Sequence, residues 1–213
     1  MLLKKRYLGI GPIIIIVVLV LYRLTQFVEI EFSQVEGEWL RFVDLELSDE
    51  EADRLDRDFI PGIEYVTGLT GLWAVRFLLA AFLMSPVSLI IGRSFPLYFR
   101  QSIGITTGLF TTLHVLVFIY AEGVLQIFTR PELVAGFSAF IIILSLTLTS
   151  SKRAMKWLKR RWKSLHRWVY LAVLLVIFHL IFLDQSWLIY GILFALGFVF
   201  RIKAVKLFVK TKM

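Results

Sequence analysis

Hydropathy divides the chain into long apolar runs separated by short charged joints. Six runs are long enough for helices that cross about 30 Å of hydrocarbon, which takes roughly 20 residues at about 1.5 Å each. They lie at about 12–30, 68–92, 103–121, 133–150, 166–184 and 187–205. A segment in lipid must satisfy its backbone polar groups internally, and runs of this length do so as helices. The pattern therefore predicts an all-α integral membrane bundle of about six transmembrane helices. Joints between the last five runs are short. The expected division is an N-terminal helix at 1–30, a sizeable extramembrane loop at 31–64, a five-helix core at 65–205 and a basic tail at 206–213.

The first run is the least typical, because its core "IIIIVVLVLY" is short and follows "KKR", as in a secretory signal peptide. No small-x-small cleavage site follows it, so an uncleaved helix is expected. Within the loop, "LSDEEADRLDRDF" reads as a short surface helix with Ser48 as N-cap and Glu51 at the capping-box position. Leu47, Leu55 and Phe59 would form its apolar stripe. This acidic segment is expected either to dock a positively charged partner or metal chelate, or to lie as a solvated lid.

Composition agrees: 58% of residues are hydrophobic and mean hydropathy is +0.78, more than a water-soluble domain can hide. Charge adds orientation, since short loops rich in Lys and Arg stay in the cytoplasm. Lys4, Lys5, Arg6, Arg93, Arg100, the run from Lys152 to Arg167, Arg201, Lys203, Lys206, Lys210 and Lys212 fall on one side of the predicted bundle. The acidic residues fall at the other ends: Glu29 to Glu64, Glu122, Glu132 and Asp184. Both termini are thus expected in the cytoplasm, and the net charge of +8 expresses topology rather than a nucleic-acid-binding face.

The chain has no cysteine, which excludes disulfides, Fe–S clusters, thiol catalysis and covalent c-type haem attachment. It has three histidines. Counted from the basic side, His114 on the third helix lies about 18 Å deep and His179 on the fifth about 21 Å deep. Each alone is either a polar residue bonded to a neighbouring helix or a metal ligand. Two on different helices at one depth favour the axial ligands of a six-coordinate haem b. Arg76 falls near the same level, where it either forks onto a haem propionate or snorkels to the interface; Met84 lies in the other half and is read as packing. His166 sits at the basic mouth of the fifth helix, and the matching positions on the third are Arg100 and Gln101. It is expected as a proton-handling group at a quinone or flavin donor site, or as a lone ligand to a second, inner haem. Arg100, Arg161, Lys163 and Arg167 would suit a flavin phosphate, and the positive-inside rule also accounts for each of them. Trp187 and Tyr120 would line the outer exit. The third helix, with "SIGITTGLFTTLH", is expected to turn its small and hydroxyl residues into the bundle.

The run "TGLWAVRFLLAAFLMSP", the pattern R-x-S-I-G…T-x-L-H in the third helix, and "LTSSKRAMKWLKRRWKSLHRWVYLAVLLVIFHL" together resemble the MsrQ (YedZ) family. Its members are haem-binding membrane subunits of the bacterial methionine sulfoxide reductase system, within the ferric-reductase-like transmembrane group. The resemblance covers about residues 65–200, making 65–205 a haem-binding ferric-reductase-like core. It implies a multi-pass protein of the bacterial inner membrane that takes electrons from the quinone pool, or from a flavin reductase through FMN. These would pass to a periplasmic molybdopterin reductase subunit, MsrP. The family's haem-associated positions match His114, His166 and His179. On this reading the chain is an electron-transfer subunit that serves a separate catalytic subunit and holds no catalytic residue of its own. No strand–GxGxxG–helix unit for a dinucleotide occurs. The alternatives are a stand-alone ferric or metal-chelate reductase, a non-redox membrane scaffold, and a transporter, for which matched Pro- or Gly-broken helices in two halves are not visible.

Overall fold

The computed structural model describes residues 2–30, 40–183 and 187–202, with side chains from Ile10 onward. The expected tail at 206–213, loop residues 31–39 and Asp184 lie outside the described residues. Helix α1 spans Leu2–Thr25 and is followed by strand β1, Val28–Ile30. Strands β2 (Leu40–Phe42) and β3 (Leu45–Glu46), helix α2 (Asp49–Leu55) and strand β4 (Phe59–Ile60) complete the loop region. The core comprises α3 (Gly62–Ile91), α4 (Leu97–Glu122), α5 (Pro131–Leu148), α6 (Lys152–Leu158), α7 (Arg160–Leu165), α8 (Val169–Phe182) and α9 (Trp187–Val199). Short 3-10 turns at Val124–Phe128 and His166–Trp168 lead into α5 and α8.

The chain is a helical, multi-pass membrane bundle. Among the described residues four stretches are long and apolar enough to cross a bilayer: Gly62–Ile91, Leu97–Glu122, Pro131–Leu148 and Arg160–Phe182. The first and last of the six expected runs form shorter apolar helices, Ile10–Thr25 and Trp187–Val199. Large apolar side chains point outward along the bundle, as at Leu116, Leu148 and Leu188, where lipid rather than water is the fitting solvent.

Helix limits follow local chemistry. Prolines stand at the starts of α3, α4 and α5, as Pro61, Pro96 and Pro131, where a missing N–H is harmless. Gly92 ends α3 with φ 69° and Gly123 ends α4 with φ 84°, conformations in which a Cβ is strained. Lys159 joins α6 to α7 with φ 47°, a turn so sharp that the two short helices cannot run on as one. Ser151 caps α6 by accepting from Ala154 N–H at 3.1 Å.

Two small antiparallel ribbons form among the described residues, β1 with β2 and β3 with β4, which the helix-only expectation did not include. The first corrects the expected helix at 1–30, since α1 ends at Thr25 and Val28-Glu29-Ile30 pairs with Leu40-Arg41-Phe42 in the apolar–polar alternation of a strand. Between β3 and β4 the expected surface helix forms as α2 with Ser48 at its N-cap. Ser48 Oγ donates to the Glu51 carboxylate at 3.0 Å instead of accepting from its N–H, so the two capping-box residues meet side chain to side chain and Ser48 makes no side-chain cap. Leu55 and Phe59 remain about half exposed.

Inside the bundle α3 packs on α4, α5 on α8, and α4 on α5; α9 lies against α3 and α8, and α1 against α4. One apolar cluster joins Ile13 and Val20 of α1 to Val66, Phe77, Met84, Ile103 and Phe110. The other joins Val75, Leu78 and Phe82 of α3 to Ile143, Ala172, Val173 and Phe194. Thr106, Thr107 and Gly108 of α4 are buried, as the hydroxyl-rich pattern predicts. Thr107 and Thr111 donate their hydroxyl hydrogens to carbonyls one turn back, which satisfies them inside the bundle.

Pro86 lies inside α3 and deprives the Phe82 carbonyl of its helical N–H partner. Arg201, which follows α9, fills that position: its guanidinium donates to the Phe82 carbonyl and to the Gly197 carbonyl. It also lies over the Phe82 ring at 4.0 Å. The residue read from sequence as a peripheral topology signal therefore locks α9 to α3. Replacing it leaves a carbonyl unsatisfied in an apolar site, so Arg201→Leu is expected to destabilise the bundle by roughly 1.5–3 kcal/mol. In a Pro86→Ala background, where residue 86 regains its N–H, the loss should shrink markedly. Thermal unfolding in detergent of the four variants of this cycle checks it; equal losses in both backgrounds would contradict the assignment.

Candidate functional site

The α3–α4 and α5–α8 pairs enclose a cavity of about 610 Å³, within the range of roughly 300–1,000 Å³ typical of cofactor sites. His114 enters it from α4 and His179 from α8, so the two histidines matched in depth do share one site. The remaining wall is mostly apolar, with Leu72, Phe118, Phe140, Ile143 and Val176. At one end it reaches Pro61, Glu64, Ala121 and Glu122, where α3 begins and α4 finishes.

Each imidazole is held in the same way. His114 Nδ1 lies 3.0 Å from the Thr67 carbonyl of α3, and His179 Nδ1 lies 2.8 Å from the Glu132 carbonyl of α5. A carbonyl can only accept, so Nδ1 carries the proton in both rings and Nε2 keeps its lone pair. One turn beyond each carbonyl stands a glycine facing the ring. A Cβ on Gly71 would sit 3.0 Å from His114 Nδ1 and Cε1, and one on Gly136 would sit 2.8 Å from His179 Nδ1. Both glycines line the cavity, followed one turn later by Ala74 and Ala139. The partner carbonyls and glycines are the functional positions that depth along single helices did not reveal. Their signal is a spacing: histidine and carbonyl residue are 47 positions apart in both cases.

The donor set indicates the kind of group that fits. Among the described residues no cluster of three or more His, Cys, Asp or Glu could hold a bare metal ion. Two imidazoles with free Nε2 atoms leave a six-coordinate metal four ligands short, and a planar tetrapyrrole supplies four. Small residues at Gly71, Ala74, Gly136 and Ala139 leave room for a flat, broad molecule, and the apolar wall excludes water. The cavity's residues fit a haem.

Arg76 is not part of this arrangement. It is exposed, with its guanidinium 5.0 Å from the Trp73 ring, and does not line the cavity. Gly71, Ala74, Val75 and Leu78 form the cavity face of α3; at about 100° per residue, Arg76 falls on another side. Depth gave its level and not its direction. The acidic rim is itself tied by Arg57 to Glu64 at 3.3 Å, while Arg130 meets the buried Glu132 at 3.6 Å. Tyr120, expected at the outer exit, donates to the Leu40 carbonyl of β2 at 3.2 Å and is half exposed; Trp187 is partly exposed.

His166 sits apart, at the basic end. Its ring stacks on Trp162 with centroids 3.9 Å apart, and its Nδ1 lies 3.2 Å from the Trp162 carbonyl. Trp162 is anchored in turn, donating Nε1–H to the Thr149 carbonyl at 2.9 Å. His166 Nε2 is the one buried side-chain nitrogen or oxygen without a partner among the described residues. Arg161, Lys163 and Arg167 are exposed around it, and Arg100 reaches Ser88 Oγ at 3.4 Å. Gln101, matched to His166 by depth along α4, donates to the Ser150 carbonyl at 2.8 Å.

Residues 70–177 match the family described as the ferric reductase like transmembrane component. The chain is 30% identical over 142 residues to the protein-methionine-sulfoxide reductase heme-binding subunit MsrQ of Xanthomonas oryzae pv. oryzae (strain MAFF 311018), covering 63% of this chain and 64% of that protein. It is 33% identical over 129 residues to the subunit of the same name from Azospira oryzae, covering 57% of this chain and 55% of that protein. The chain thus spans less than two thirds of the length of these relatives. The resemblance drawn from the sequence motifs is borne out. No solved structure matches the chain.

Because Trp162 is the platform beneath His166, Trp162→Leu should expose the imidazole and raise its modification by diethyl pyrocarbonate several-fold. Trp162→Phe, which keeps an aromatic face and loses only the bond to Thr149, should stay near the native rate. Mass spectrometry of the His166 peptide reads both, and unchanged protection in Trp162→Leu would contradict the stacking role.

Proposed function

The chain belongs to the ferric reductase-like transmembrane family, and from that premise we propose that it is a haem b electron-transfer subunit of a protein-methionine-sulfoxide reductase system. The observation that carries the proposal is the pair of imidazoles entering one apolar cavity from two helices, each with Nδ1 committed to a backbone carbonyl. His114 and His179 would hold the iron through their Nε2 atoms. When bound, haem would supply a one-electron carrier, and His114 and His179 would be the two residues that hold it. The chain's own residues do the rest: Thr67 and Glu132 carbonyls fix ring orientation, and Leu72, Phe118, Phe140, Ile143 and Val176 exclude water.

Direction follows from charge. The end that carries Arg100, Arg161, Lys163, Arg167 and His166 faces the cytoplasm, as do both termini, and the acidic segment at 31–64 faces the periplasm. Electrons enter at the basic end, from the quinone pool or from a flavin reductase through FMN. The unpartnered Nε2 of His166 is suited to bond the donor or to ligate an inner haem, and the four cations to receive a flavin phosphate. They leave at the acidic end for a periplasmic molybdopterin reductase subunit of the MsrP kind. A second reading, a stand-alone metal-chelate reductase, is favoured by Glu64 and Glu122 at the cavity's rim, which would attract a cationic acceptor.

The test is the reduced-minus-oxidised spectrum of the purified full chain, with haem quantified per chain. His114→Ala and His179→Ala should each abolish the six-coordinate haem, while His166→Ala should keep it and slow reduction by quinol or by flavin reductase. Native spectra in all three variants, or a wild-type chain free of haem, would replace this reading with a non-redox scaffold. Reduction of an external ferric chelate without any partner protein would favour the second reading.

A further inference from the structure

An offset of 65 residues carries Thr67 to Glu132, Gly71 to Gly136, Ala74 to Ala139 and His114 to His179. It also carries α3 onto the region of α5, and α4 onto the region of α7 and α8. The cavity wall is thus built from two copies of one helix-pair unit. Each copy supplies, in order along the chain, an accepting carbonyl, a glycine one turn later, an alanine after it, and a histidine on the second helix. The pairs are alike in geometry as well as in sequence order: Nδ1 to oxygen is 3.0 Å in one and 2.8 Å in the other.

The glycines explain how an imidazole reaches that carbonyl. In a helix the carbonyl of residue i already accepts from the N–H of residue i+4, which here is the glycine itself. A second donor must approach along the helix surface, over the Cα of residue i+4. With any Cβ there, the ring of His114 would meet it at 3.0 Å and that of His179 at 2.8 Å, closer than such contacts normally come. Ring and carbonyl belong in each case to helices that pack directly on one another, α4 on α3 and α8 on α5.

We propose that Gly71 and Gly136 are positioning residues for the two ligands, each holding open the gap through which an imidazole docks on the preceding carbonyl. The two axial bonds are therefore set by equivalent devices. The inference rests on the haem reading above. It adds that filling either gap pushes the ring off its carbonyl, breaks the Nδ1–H bond and turns Nε2 away from the shared site. Ala74 and Ala139 extend the same cavity-lining face of each helix.

The experiment titrates haemin into the full chain, produced without haem and purified in detergent, and records low-temperature EPR of the loaded protein. Gly71→Ala and Gly136→Ala are compared with Gly104→Ala, where an added Cβ meets nothing within 4 Å. Loss of the group that orients a ligand typically weakens metal binding roughly 10–100-fold, and a loss of that order is expected for both cavity glycines, with decline of the low-spin signal. Gly104→Ala should match wild type. Because a glycine variant can lose binding by misfolding alone, Gly71→Ala is also made in a His114→Met background. Methionine has no Nδ1 to dock, so the alanine should there have little further effect. Equal harm in both backgrounds, wild-type binding in both cavity-glycine variants, or harm at only one of the two would overturn the assignment. If wild type itself takes up no haemin, the haem reading falls and the glycine assignment with it; if wild type binds and the glycines do not matter, only the assignment falls.

Discussion

A neutral imidazole inside hydrocarbon must give its N–H to something, and the structure answers that demand with the backbone. His114 and His179 both donate Nδ1–H to a carbonyl of the helix packed beside their own. In a medium without water an unmade bond of this kind costs a few kcal/mol, so the rings are fixed in tautomer and direction before any ligand arrives. Much else follows from that docking. It requires bare glycine backbone at positions 71 and 136, tight pairing of α3 with α4 and of α5 with α8, and a cavity between the pairs. It also leaves the second nitrogen of each ring as the free donor in that cavity.

The rest of the bundle handles polar groups by the same rule. Pro86 releases a carbonyl in mid-helix and Arg201 comes back from the end of α9 to take it. Hydroxyls along α4 return to carbonyls one turn behind them. Trp162 and Gln101 bond the carbonyls of Thr149 and Ser150 where α5 ends. Against this background the unpartnered Nε2 of His166 stands out, in the region where cations gather and a donor would enter.

Much of this was legible in the sequence. Apolar run length marked the helices of the bundle, four of them long enough to span among the described residues, and counting depth along helices paired His114 with His179, which line one cavity. Other features escaped for physical reasons. The first apolar run lies at about 12–30 within an N-terminal helix expected at 1–30; the helix occupies Leu2–Thr25, its charged start included, and ends before 30 because Val28–Ile30 pair as a strand. The last was expected to run to 205 and stops at Val199, because the chain must turn for Arg201 to reach Phe82. Arg76 was assigned a level but not an azimuth, and one step around the helix separates the cavity from the outside. Of the ribbons, β1 lay at the end of the expected first helix and β2, β3 and β4 in the loop; strands of two or three residues are too short for periodicity to mark. The helix-pair repeat was hidden because its matched residues are few and spread along each unit, and geometry made the 47-residue spacing meaningful.

If the imidazoles of His114 and His179 together bind one haem iron, low-temperature EPR of the oxidised, detergent-purified chain should show a low-spin ferric signal of the bis-imidazole type in wild type. That signal should be replaced by a high-spin one, or lost, when either histidine is removed. A haem that remains low-spin without both histidines, or a wild-type protein whose haem is wholly high-spin, would contradict that shared ligation.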